Sequence, residues 1–185
     1  GEGPGGDIDA GGGFVWVAWA RRASGTQIDP ATNAVAARYA GTRADVLRLA
    51  VPPRHAKVER ETPSAPTSSD VVVPDLGAWA GYGGGERFLA ALGEGRAVRA
   101  VWQALPGESW PDRLAEVAAV TVNAGRAVLA VVPDQRDVDR LSAACADRVD
   151  PQRVVALSAG LGTSERYRRW LTVLRGDARL VIGTR

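Results

Sequence analysis

Cysteine and histidine are almost missing from this chain: Cys145 and His55 are the only ones among 185 residues. A single cysteine rules out an internal disulfide framework and a four-cysteine zinc site within these residues, and a reducing, cytoplasmic setting is expected. One histidine and one cysteine also leave no material for a Ser–His–Asp set or a metal-ligand cluster. No apolar run approaches the ~20 residues that a membrane helix needs. The longest, residues 14–20 (FVWVAWA), is far shorter. No basic segment precedes an apolar run after Gly1, so no secretory signal is expected. Methionine is absent, and of the 23 basic residues only Lys57 is not arginine. With plentiful Ala, Gly and Val, that skew reads first as GC-rich coding bias. Its functional reading is phosphate recognition, which suits the planar, two-pronged guanidinium. A net charge of +2 and a pI near 9.1 permit a nucleic-acid partner. What is present is enough for a core: the chain is 45% hydrophobic, which excludes a wholly disordered protein.

Residues 1–29 read as irregular, a truncated or frame-shifted stretch: glycine at that density makes ordering entropically costly. A strand is possible only at 14–20, with no hairpin partner after it. Helical patterns follow from Asp29–Pro30 and again after Gly41, where Thr42 can cap, and Pro52–Pro53 ends the second. Residues 59–85 shift to Pro, Ser, Thr and Gly and read as a flexible linker with a sticky run at Val71, Val72 and Val73. From residue 86 the chain is regular. Strands are predicted at 98–105, 126–132, 153–159 and 179–182, with helices at 86–92, 111–124, 134–147 and 163–175. Such alternation predicts an α/β fold, a parallel sheet flanked by helices.

In such a fold the loop between the first strand and its helix is the phosphate-binding place, because free N–H groups and the helix dipole converge there. That loop, ALPGESWP at 104–111, holds Gly107, Glu108, Ser109, Trp110 and Pro111. A working phosphate loop needs Lys and Ser/Thr where Trp110 and Pro111 stand, and proline lacks an N–H. An ordinary strand–helix turn is the favoured reading. Helix 163–175 places Tyr167, Trp170, Leu171 and Leu174 in a stripe expected to face the sheet, with Arg166, Arg168 and Arg169 pointing largely away. A solvated face is the usual meaning of such arginines, and a phosphate-contacting face the rarer one. Gly183, Thr184 and Arg185 follow the last strand and offer N–H, hydroxyl and guanidinium donors suited to a nucleic-acid backbone. Cys145 reads as a small buried hydrophobe, and His55 as a surface residue in a basic turn.

Several motifs remain: Val131–Val132–Pro133–Asp134, Ser158–Ala159–Gly160–Leu161, Glu165–Arg166, Trp170, Gly176 and Val181 to Arg185, together with RYAGTRADVLRLAVPPR at 38–54. Taken together they resemble the PriA family of bacterial replication-restart proteins (primosomal protein N′). The resemblance covers about residues 31–54 and 99–185. It implies a partial RecA-like (P-loop NTPase-type) lobe at 86–185, preceded by a short helical segment at 30–58, the end of an N-terminal DNA-binding region. It also implies ATP and Mg²⁺ at the loop, zinc elsewhere in a complete family member, and forked or single-stranded DNA as partner. Other primosome proteins and the replicative helicase are further implied partners. Gly183, Thr184 and Arg185 would match the family's DNA-contacting loop, with Arg166 and Arg169 as further candidates. The family's phosphate-loop residues are replaced here, which resembles an actinobacterial branch without efficient helicase activity. The alternatives are an active ATP-dependent 3′→5′ helicase and an unrelated doubly wound small-molecule-binding domain.

Overall fold

The computed structural model describes residues 30–61 and 75–184. The strand expected at 14–20, the run Val71–Val73 and Arg185 lie outside the described residues.

Two helices open the described chain, α1 (Pro30–Arg38) and α2 (Arg43–Ala50), followed by the single turn α3 (Ala56–Glu59). Thr42 caps α2 reciprocally: its hydroxyl accepts from the Asp45 N–H at 3.2 Å, and the Asp45 carboxylate accepts from the Thr42 N–H at 3.0 Å. A 3₁₀ turn at Gly77–Gly81 leads into α4 (Gly85–Gly93), and α5 (Trp110–Asn123) follows an irregular stretch. Then strand and helix alternate: β1 (Val128–Val132), α6 (Gln135–Cys145), β2 (Val154–Leu157), α7 (Thr163–Arg175) and β3 (Leu180–Thr184).

The sheet is parallel with the order β1-β3-β2, so the last strand inserts between the first two. Parallel strands need crossover connections, and α6 and α7 supply them. Val128, Ala130 and Val132 of β1 and Leu180 and Ile182 of β3 point to one face. There they bury against Ala115, Ala118, Ala119 and Val122 of α5 and Val138, Leu141 and Cys145 of α6. On the other face α7 lies against β2, where Val155 is buried, while Leu129 of β1 remains 37% exposed. Gly183 is required by its register beside Leu157: a Cβ there would meet the Leu157 carbonyl oxygen at 2.6 Å.

The strand expected at 98–105 does not form, and among the described residues three strands stand where four were expected between 98 and 182. Side-chain anchoring wins over backbone pairing in this stretch. Val98 and Trp102 turn into a second apolar cluster made by Trp79, Leu89, Leu92 and Val117, while Val101 between them is 98% exposed. Part of the stretch read as linker belongs to that cluster, since Trp79 is buried and packs against the rings of Tyr82, Phe88 and Trp102. The stripe on α7 needs a second correction. Tyr167 and Leu171 bury against Val58 of α3 with Trp170 alongside, and Leu174 is left 65% exposed.

Candidate functional site

The loop before α5 is closed upon itself. Gly107 takes a left-handed φ of 79°, and the resulting turn lets the Glu108 N–H donate to the Leu105 carbonyl at 3.0 Å. The Glu108 carboxylate folds back in turn and accepts the Leu105 N–H at 3.1 Å. The same N–H also lies 3.2 Å from the Tyr82 hydroxyl, which itself donates to Glu108. A loop that cradles phosphate presents such N–H groups to an incoming anion. Here the anion is a side chain of the loop.

The charge around Glu108 continues inward. Arg113, one turn into α5, approaches Glu108 at 3.6 Å and donates to Glu116 at 2.6 Å. The indole N–H of Trp79 donates to the other oxygen of Glu116 at 2.8 Å. Glu116 is 3% exposed on the apolar side of α5, so its charge is tolerated only because these two donors meet it. Asp112 stands in the first turn of α5 and pairs with Arg148 at 2.9 Å, tying this helix to the segment after α6. Glu108 and Asp112 therefore place two carboxylates where the helix dipole would otherwise favour a phosphate. Pro111 subtracts an N–H, and Ser109 at the N-cap makes no side-chain capping bond. The residues present do not fit a triphosphate and its magnesium: lysine, the following hydroxyl and a free loop N–H at Leu105 are all missing. Among the described residues no group of three His, Cys, Asp or Glu side chains could hold a metal ion.

The second candidate region is the carboxyl edge of the sheet. Gly183 and Thr184 end the central strand, opposite Val131 and Val132 of β1, and Gly183 also faces Leu157 of β2. Thr184 is partly exposed there. Arg166 belongs to the same edge. Its guanidinium donates to the carbonyls of Ala159 and Leu161 at 2.8 and 3.4 Å, holding the loop between β2 and α7. Arg169 is turned elsewhere: it donates to the Ala156 carbonyl of β2 at 2.7 Å and to Glu165 at 2.7 Å. Both arginines are thus engaged by backbone carbonyls, Arg169 by β2 and Arg166 by the loop that follows it. Glu165, paired to Arg169 and Arg168, is held below the usual carboxylate range.

Cys145 is fully buried, and burial pushes its thiol up to about 12, as befits a small hydrophobe. His55 is half-buried at the N-cap of α3, with its Nδ1 lacking a hydrogen-bond partner. Sequence reasoning missed Tyr82, Arg113 and Glu116. The signal for Glu116 was present, a carboxylate inside the run Ala115 to Ala119 with an arginine three residues before it.

Comparison with known proteins gives one consistent answer. Proteins described as "Probable replication restart protein PriA" from Mycobacterium tuberculosis and Mycobacterium bovis are each 66% identical to this chain over 160 residues. That is 86% of this chain and 24% of each relative. The Mycobacterium leprae protein of the same description is 65% identical over 156 residues, 83% of this chain and 24% of its own length. The chain thus spans about a quarter of the length of the curated relatives it matches. No family model matches, and no solved structure matches.

Proposed function

Since the chain belongs to the PriA family of replication restart proteins, we propose that it is the part of such a protein that bears on forked DNA. In this reading it holds the DNA for primosome assembly without working as an efficient ATP-driven motor. The observation that carries the second half is Glu108, which takes the Leu105 N–H that a phosphate would need. Phosphoryl transfer relies on positioning and charge stabilisation by just such donors and a lysine. Here the corresponding positions are a tryptophan, a proline and two carboxylates.

The sheet with its crossover helices is read as one lobe of a RecA-like fold. In that reading Thr184, with Arg185 beyond, meets the sugar-phosphate backbone, since ligands gather at the carboxyl ends of parallel strands. The buried Gly183 seats the end of the strand beside Leu157. Arg166 contributes by holding the neighbouring loop in place. Primosome proteins and a replicative helicase would be the partners to which the DNA is passed.

A filter-binding assay on a protein spanning the full length of the family tests the DNA half. Forked DNA should be retained better than plain duplex, with affinity falling steeply as salt rises. Equal retention of the two substrates would sink the restart role. DNA-stimulated ATP hydrolysis clearly above background would instead favour the active 3′→5′ helicase.

A further inference from the structure

We propose that the acidic turn Glu59–Glu61 is an autoinhibitory cover over a single-stranded nucleic-acid surface on α7. The Arg168 guanidinium grips Glu61 with two prongs, Nε to one oxygen at 2.7 Å and Nη2 to the other at 2.9 Å. That parallel two-bond geometry is how arginine grips a phosphate. A second carboxylate, Glu59, accepts from the Tyr167 hydroxyl at 2.5 Å and from the Arg54 fork at 2.7 to 3.0 Å. The ring of Tyr167 stacks on that of Trp170, with centroids 5.7 Å apart and planes 20° from parallel. Guanidinium donors beside stacked aromatic rings are the elements of a sequence-tolerant single-strand site. Arg175, two turns beyond Arg168, also favours the charged form of Glu59.

The cover is built to exchange. α3 is four residues long and cannot hold its own helix. Val58 is its only buried side chain, set against Tyr167 and Leu171. The Arg168–Glu61 pair is solvent-exposed and weakened by salt, while Glu59 is partly covered and its pairing carries more of the contact. Glu165, which also pairs with Arg168, keeps that arginine oriented when the cover leaves. Arg54, His55 and Lys57 travel with the cover. The inference rests on the contacts of α3 with α7 and not on Thr184 or Arg185, so a failed fork preference leaves it standing.

The test is fluorescence anisotropy of a labelled oligothymidylate with this 185-residue chain. The double variant Glu59→Gln/Glu61→Gln should bind at least about fivefold more tightly than the unmodified chain, roughly what one base–aromatic stack is worth. The same charge change made elsewhere, Glu94→Gln/Asp139→Gln, should leave binding within about twofold, since exposed pairs away from the surface matter little. Adding Arg168→Ala to the double variant should abolish the gain. Tyr167→Phe keeps the ring pair but loses the bond to Glu59, so it should give a smaller gain, and it remains informative if the double variant fails to fold. No gain beyond the charge-matched control, or a gain that survives Arg168→Ala, overturns the proposal.

Discussion

A methyl group at position 183 would press into the Leu157 carbonyl oxygen, and neither strand can retreat without breaking the ladder that holds the sheet. Gly183→Ala should therefore cost about 1–3 kcal/mol, the range for over-packing, and a thermal melt should read it as a fall of several degrees. Position 116 carries a larger risk. Glu116→Ala strands the Arg113 guanidinium and the Trp79 indole N–H in a dry place. Breaking one partner of a buried ion pair costs about 3–5 kcal/mol, measurable by urea denaturation. Both effects were hidden in the sequence for the same reason. Gly183 read as a backbone donor because the demand for glycine comes from Leu157, a neighbour only through register. Glu116 read as one more charge on a helix because Trp79 lies 37 residues away.

At the scale of elements, the α3–α7 contact should fail in acid. Arg54, and after it Tyr167, holds the Glu59 carboxyl down at about 2, against an ordinary value of 4.5. A depressed folded value gives stability that is complete above pH 4.5 and fades as pH falls towards 2. Protection of the bonded amides at residues 58–61, measured against the unstructured amide at the same pH, should accordingly fall across that window, while that of β1 and β3 does not. Persistent protection of α3 at pH 2 would contradict this account. Exchange also reads the stretch 98–105. Its amides should exchange fast except that of Leu105, and Glu108→Ala should speed Leu105 while leaving it the Tyr82 hydroxyl as acceptor; Glu108→Ala with Tyr82→Phe should release it fully. The helices of this chain were legible because caps and apolar spacing are local: Thr42, Asp134 and Gly176 mark ends that the structure keeps. The missing strand was not. Its apolar content predicts extension, yet Trp102 finds more to bury against Trp79 than a ladder would give it. Likewise the α7 stripe was read correctly as apolar at Tyr167 and Leu171, but its partner, Val58, belongs to a turn too short to show a period.

The molecule as a whole buries one side of its sheet more fully than the other. Among the described residues β1 pairs with β3 alone and its Leu129 is 37% exposed, an apolar side chain at the sheet edge that favours association. Leu129→Lys should reduce concentration-dependent self-association in sedimentation velocity while leaving the melting temperature unchanged. The α/β class and the parallel pairing were legible from alternation alone. The strand order was not, because insertion of β3 between β1 and β2 depends on how the crossovers wrap, which no local pattern records. Of the candidate site, the loss of the phosphate-binding residues was legible at Trp110 and Pro111. The reversal in which Glu108 becomes the loop's own ligand needed the fold. With its thiol held at about 12, Cys145 stays protonated and unreactive at neutral pH. A single cysteine introduced on an exposed position can therefore be dye-labelled selectively, with the native residue left in place.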